Sequence, residues 1–275
     1  MPFRGSIFDL DGTLLDTLDD ITNAANSVLA ARGFPTHPNA NYRTFIGEGV
    51  TKLMSRALPE THQDEATVQA CVGAYGQEYE RTWNALSKPY PGVPEMLDAL
   101  VVRGLKLAVL SNKPDHFTQR CVDELLAKWT FDVVLGASDQ FPRKPDPASA
   151  METARRLGVP PAECLYVGDS GIDMQTARAA HMCSVGALWG FRGQEVETAV
   201  EKRGGWRSNS AAPVGSKLTF GAAVKFDHQG VLACEVKRAG GRAASLQLAP
   251  PGVEWFCLRL AAQERLSRFL ASCRR

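Results

Sequence analysis

Asp9 and Asp11 stand one residue apart in IFDLDGTLLDT, directly behind a short apolar run, and the chain turns at once on Gly12. Two carboxylates so placed repel each other and sit together comfortably only beside a cation. Three further segments put polar groups behind apolar runs in the same manner: LAVL leads into Ser111, Asn112 and Lys113; RKPDP carries Lys144; CLYVG leads into Asp169 and, inside GDSGID, Asp173. Brought to one place, these residues supply four carboxylates, a hydroxyl, an amide and one or two lysines. All-oxygen ligands of this kind favour a hard ion, Mg²⁺, which keeps waters and shares a phosphate oxygen. Ser111 and Lys144 offer a phosphoryl dianion a hydrogen bond and a point charge, with Asn112 beside them and Lys113 the weaker candidate of the two lysines. Cation and lysine also offset the repulsion between a phosphate and an attacking carboxylate, so that an aspartate can act as a covalent nucleophile.

Alternation along an extended segment turns Asp9 and Asp11 to one side and Leu10 to the other. One carboxylate then attacks phosphorus while the other reaches the leaving-group oxygen. In this division Asp9 is the nucleophile, and Asp11 is the general acid that protonates the alcohol and then the base that activates water. Gly12 allows the tight turn, and Thr13 adds a hydroxyl or amide donor.

These groups converge only if regular elements carry them to a common edge. Short apolar runs bounded by turn signals recur at Phe3 to Phe8, Leu105 to Leu110, Phe131 to Leu135, Cys164 to Val167 and Cys183 to Leu188, mostly separated by segments of helical period. That alternation predicts an α/β fold with a doubly wound parallel sheet, and the near-continuous apolar character of LKLAVL and CLYVG fits strands buried on both faces. Ligands of such sheets lie beyond the carboxyl ends of the strands, where all the polar segments above fall.

Between Phe8 and Leu105 the alternation stops and the pattern is mostly helical. Thr17 with Asp20 reads as a capping box, Leu18, Ile21, Ala25, Val28 and Leu29 recur at helical spacing, and Gly33 ends the segment. Further helices are predicted from Val50 to Leu58 and Glu65 to Leu86 before the prolines of KPYPGVPEML return the chain to the sheet. The expected domains are an α/β core from 1–15 and 87–203, an inserted helical cap over 16–86, and an extension over 204–275.

The ordered set FDLDGTLLDT, LSNK, RKPDP and GDSGIDMQTARAA resembles the haloacid dehalogenase superfamily hydrolases, close to the phosphoglycolate phosphatases, over about residues 3 to 193. The resemblance implies a Rossmann-like core with an α-helical cap after the first motif. It implies Asp9 as nucleophile, Asp11 as acid and base, and Ser111 and Lys144 on the phosphate. It places Mg²⁺ on Asp9, the backbone carbonyl of Asp11 and Asp169, with Asp173 supporting that metal site. A phosphatase of a small phosphate ester follows, with 2-phosphoglycolate the leading substrate and other sugar phosphates or nucleotides the alternatives. Asp11 disfavours a dehalogenase, whose leaving group needs no proton. A phosphomutase on the same scaffold differs in protecting its phosphoaspartate from water, and a silent binding protein is expected to have eroded motifs, which these are not. In the cap, YRTFIGEGVTKLM offers Arg43 or Lys52 as the cation for a substrate carboxylate.

Several residues have plainer readings. Ser111 is expected to cap the helix that follows it, and Asp173, early in a helix, favours the helix dipole. The histidines show no ligand spacing. Seven scattered cysteines, never spaced as CxxC, suggest neither a disulfide framework nor a zinc knuckle.

A chain of 275 residues with 44% hydrophobic content can fill a sizeable core. No stretch approaches the ~20 apolar residues of a membrane span, and MPFRGSIFDLDG has acids where a signal peptide needs apolar residues, so a cytoplasmic location is expected. The expected partner is a small phosphorylated metabolite, with no nucleic acid and no membrane, for a monomer or dimer. The charge balance changes near Gly204: residues 1–203 hold 20 Lys and Arg against 26 Asp and Glu, a net −6, and residues 204–275 hold 11 against 4, a net +7. Strands are predicted at Lys217 to Phe226 and Val231 to Val236, and an amphipathic basic helix at Val253 to Ser272. Positive charge suits an anionic partner. Because no recognised motif accompanies it, a poorly ordered extension or a shifted reading frame is the expectation.

Overall fold

The structure is a computed structural model that describes residues 3–193 and 195–196, together with the backbone of 221–226, 232–236 and 244–247. A central sheet contains β1 (Gly5–Phe8), β4 (Lys106–Pro114), β5 (Val133–Ala137), β6 (Cys164–Gly168) and β7 (Cys183–Ala187), all parallel. Helices α5 (Val93–Val102), α6 (Asp115–Leu125), α7 (Ala148–Leu157) and α8 (Gly171–Ala179) alternate with these strands. The insertion after β1 is helical: α1 (Leu18–Ala31), α2 (Asn39–Phe45), α3 (Val50–Ala57) and α4 (Glu65–Thr82). Where the chain leaves for these helices and comes back, β2 (Leu15–Asp16) pairs antiparallel with β3 (Lys88–Pro89).

Period-two alternation builds the core on both faces of the sheet. Phe8, Leu107 and Val109 enter one cluster, shared with Leu29, Met54, Tyr79 and Trp83 of the helical insertion. Ile7, Ala108, Leu110 and Tyr166 enter the other, under Ala154, Leu157 and Ala177 of α7 and α8. The strands are therefore buried on both sides, as their unbroken apolar runs predict.

The strand order is β5-β4-β1-β6-β7, continued by β8 (Gly221–Phe226), β9 (Leu232–Val236) and β10 (Ala244–Gln247). β8 joins β7 in parallel, and β9 and β10 follow antiparallel. Two of these strands match the predicted segments in the basic extension. The helix predicted at Val253 to Ser272 lies outside the described residues. Among the described residues no helix is long and apolar enough to cross a membrane.

Two local expectations are corrected, and one helix was not foreseen. The capping box at Thr17 does not form: Thr17 Oγ1 donates to Asp11, and the buried Asp20 carboxylate accepts from Leu86 N, Ser87 N and Ser87 Oγ, pinning the returning chain. A buried carboxylate gains more from three donors than from one cap. Ser111 is no helix cap, because β4 runs on through Lys113 and α6 begins only after Pro114. α2 lacks a sequence signal, since Tyr42 is its one buried side chain and no apolar stripe marks it.

Candidate active site

β1 is an interior strand of the parallel set, between β4 and β6, so the turn that follows it opens within the sheet's carboxyl edge. Asp9, the first residue past β1, is fixed by its own neighbour, Leu10 N donating to Oδ1 at 2.8 Å. Lys144 Nζ lies 2.9 Å from Asp9 Oδ1 and 2.7 Å from Asp173 Oδ1, and also donates to Leu110 O. Asp173 is held in turn by a capping box at the start of α8, Ser170 Oγ donating to Oδ2 at 2.5 Å. One buried lysine thus bridges two buried carboxylates.

Asp169 completes the group. Phe191 N donates to its Oδ2 at 2.7 Å, and the Thr13 hydroxyl reaches Oδ1 at 3.5 Å. The packing is close: a Cβ on Gly12, whose φ is +83°, meets Asp169 Oδ2 at 2.4 Å, and one on Gly190 meets Gly12 O at 2.2 Å. Both positions admit only glycine without a shift of the carboxylate or the turn.

Asp9, Asp169 and Asp173 each offer an oxygen within 4.8 Å of the others, and all three are buried. Burial raises the Asp9 carboxyl to about 6, with Lys144 pulling it down and Asp173 pushing it up. Burial, then the charges of Asp173 and Asp9, holds Asp169 well above the ordinary range. Lys144 is drawn down by burial, but Asp173 and Asp9 outweigh this and keep it charged. Three carboxylates facing one ammonium leave a deficit of positive charge, and their oxygen donors suit a hard divalent cation. Asp9 and Asp169 keep the capacity to hold it, whereas both Asp173 oxygens are engaged by Lys144 and Ser170.

Asp11 faces a different set. Lys113 Nζ donates to its Oδ1 at 3.0 Å and Oδ2 at 3.3 Å, and Thr17 Oγ1 to Oδ1 at 2.8 Å. Lys113 is buried and also donates to Tyr79 Oη of α4 at 2.7 Å. Burial lowers the Lys113 pKa, but Asp11 with Cys121 and Tyr75 more than offsets this, so the ammonium is held above its usual value. The lysine that the sequence ranked second therefore orients Asp11. Its signal was its position directly after Ser111 and Asn112.

Asn112 is spent on structure: Oδ1 accepts from Lys144 N, and Nδ2 donates to Lys144 O and to Gly47 O of the helical insertion. Ser111 Oγ accepts from Lys113 N at 3.3 Å, leaving its hydroxyl hydrogen to donate elsewhere.

A cavity of about 330 Å³ lies over these groups. Asp9, Asp11, Ser111, Asn112, Lys113 and Asp169 form its floor, and Val50, Leu53, Val72, Tyr75 and Tyr79 its far wall. Tyr75 and Tyr79 stack at 5.3 Å. Arg43 of α2 and Lys52 of α3 are exposed and outside this lining. Arg192, which the sequence did not single out, lines the cavity.

Residues 6–187 match the family model described as haloacid dehalogenase-like hydrolase. A phosphoglycolate phosphatase of Xylella fastidiosa strain 9a5c is 42% identical over 194 residues, covering 70% of this chain and 83% of that protein. One of Xanthomonas campestris strain 8004 is 35% identical over 189 residues, covering 69% and 85%. Among solved structures, a predicted phosphoglycolate phosphatase of Haemophilus somnus superposes with a TM-score of 0.65 at 30% identity, covering 70% of this chain and 88% of its own.

Proposed function

The chain belongs to the haloacid dehalogenase-like hydrolases, and from that membership we propose that it is a Mg²⁺-dependent phosphatase that passes the phosphoryl group through Asp9. The observation that carries this reading is Lys144 set between Asp9 and Asp173, with Asp169 alongside. Asp9, Asp169 and the Asp11 backbone carbonyl would hold Mg²⁺, with Asp173 supporting the site by holding Lys144. When bound, the ion supplies positive charge that neutralises a phosphate oxygen.

The substrate phosphoryl group sits over Asp9, taking a hydrogen bond from Ser111 Oγ and charge from Lys144. An Asp9 oxygen attacks phosphorus, the bond to the alcohol oxygen breaks, and Asp11 gives that oxygen its proton. Asp11, now a carboxylate, takes a proton from a water that attacks the phosphoaspartate, releasing inorganic phosphate and restoring Asp9. Lys113 and Thr17 hold the Asp11 carboxyl in place for both transfers. The apolar far wall excludes bulk water from the first of them.

The relatives' names make 2-phosphoglycolate the first substrate to test. The reading is checked by a screen of phosphorylated metabolites with and without Mg²⁺. Release of inorganic phosphate without a sugar bisphosphate activator separates a phosphatase from a phosphomutase. Turnover of no phosphate ester, or turnover that survives Asp9→Asn, contradicts it.

A further inference from the structure

Arg192 belongs to the sheet half of the molecule but spends its guanidinium on the cap. α2 ends at Phe45, and the last carbonyls of a helix have no partner within it. Arg192 Nε donates to Arg43 O at 3.1 Å, and Nη2 donates to Thr44 O at 3.1 Å and to Ile46 O. Arg56 of α3 covers Thr44 O and Phe45 O from inside the cap. Two arginines therefore share one helix end, one from within the cap and one from across the cleft. Asn112 adds a second bond across that cleft, donating to Gly47 O at 3.0 Å.

The position of Arg192 in the chain matters as much as its reach. Its neighbour Phe191 donates its backbone N–H to Asp169 Oδ2 at 2.7 Å. Glu195 Oε1 accepts from Gly171 N at the start of α8, the helix that carries Asp173, and Oε2 lies 3.8 Å from Arg192 Nη1. The same short turn thus touches a carboxylate of the acid cluster, the base of α8 and the cap. The Arg192 side chain is only 12% exposed, and the residue lines the reaction cavity.

We propose that Arg192 is a latch that holds the Arg43–Gly47 segment of the cap closed over the acid cluster, and so is a positioning residue that ties roof closure to the placement of Asp169. The importance of closure for turnover rests on the phosphatase reading above; the latch itself rests on the hydrogen bonds. Arginine suits the task because its planar fork serves three carbonyls at once, whereas a lysine ammonium is a point charge. Breaking the latch leaves Arg43 O and Ile46 O to water, Thr44 O keeping Arg56, and lowers the closed fraction, so turnover falls in proportion.

The test uses the full chain with Arg192→Ala and Arg192→Lys, read by amide hydrogen exchange and by steady-state kinetics on 2-phosphoglycolate and p-nitrophenyl phosphate. Arg192→Ala is expected to speed exchange across residues 42–53 by about tenfold or more while β1 and β4 stay protected. It is expected to lower kcat on the order of tenfold for both substrates with a smaller change in KM, and Arg192→Lys to recover part of both effects. Unchanged exchange over 42–53 overturns the latch, and if KM for the carboxylate-bearing substrate alone then rises, Arg192 binds substrate directly. Faster exchange throughout the sheet, with no selective effect on the cap, also overturns it. A wild-type chain that hydrolyses neither ester defeats the phosphatase reading, yet the exchange experiment still decides the latch.

Discussion

The floor and the roof of the cavity are built on opposite principles. The floor is ionic: Asp9, Asp169 and Asp173 with Lys144, all buried, and the half-buried Asp11 with Lys113. The roof is mostly apolar, with Val50, Leu53, Val72 and the Tyr75–Tyr79 stack, and its polar links to the sheet half include Tyr79 Oη with Lys113, Gly47 O with Asn112, Glu80 with Arg120, and α2's carbonyls with Arg192. A buried charge network tolerates almost no change, because removing one partner strands another in a medium of low dielectric constant. An apolar wall tolerates substitutions that keep volume. On the proposed reading the chemistry belongs to the floor, and substrate choice to a surface freer to vary.

That contrast predicts a descending order of effects. Asp9→Asn, with the nucleophile gone, should lower turnover by about 10⁴-fold or more with the circular dichroism spectrum unchanged, as measured by single-turnover assay. Lys144→Met leaves Asp9 and Asp173 unpaired, and equilibrium urea unfolding should show a loss of about 3–5 kcal/mol together with activity. A comparable volume-keeping change in the roof, Leu53→Met, should cost less than about 1.5 kcal/mol in the same experiment. Equal losses at the two positions break the contrast.

Charge crowding in the floor also sets a dependence on pH. The Asp9 carboxyl, raised from 3.8 to about 6, binds a proton more tightly in the folded chain. Its contribution to stability is full below the unfolded value and is lost as pH rises through about 6, and Asp169 is shifted in the same direction. Mg²⁺ should offset that loss, so the rise in Tm on adding it should be larger at pH 7.5 than at pH 5. An equal rise at both pH values removes the carboxylates from the cation site. Smaller effects belong to the roof. Tyr79→Phe removes one acceptor from Lys113, a cost of about 1 kcal/mol in urea unfolding. Arg43→Ala and Lys52→Ala, both exposed, should leave kcat/KM for 2-phosphoglycolate within about twofold; a larger fall in either restores that residue as the cation for the substrate carboxylate.

The same division explains what the sequence made legible. Asp9, Ser111 and Asp169 lie where a buried apolar run ends and polar residues begin, and Lys144 stands in the RKPDP segment that follows β5, so all four could be read from adjacent residues. The strand alternation and the long helical insertion were visible for the same reason. What was hidden depends on partners far along the chain. Asp20 reads as a cap residue until Leu86 and Ser87 return to it. Asn112 reads as a phosphate donor until the Lys144 backbone and Gly47 take up its amide. Arg192 carries no local motif, and Arg43 reads as a substrate cation until Arg192 takes its backbone carbonyl and its side chain is seen to be exposed.

The proposed mechanism requires a phosphoryl group resting covalently on Asp9. Mixing enzyme, Mg²⁺ and 2-phosphoglycolate, quenching in acid within milliseconds and sequencing the peptides by mass spectrometry tests this directly. The account predicts a peptide spanning Asp9 heavier by one phosphoryl group, with the modification on Asp9 and absent in Asp9→Asn. Full turnover with no such peptide at any quench time, or with the phosphoryl group on another residue, contradicts it.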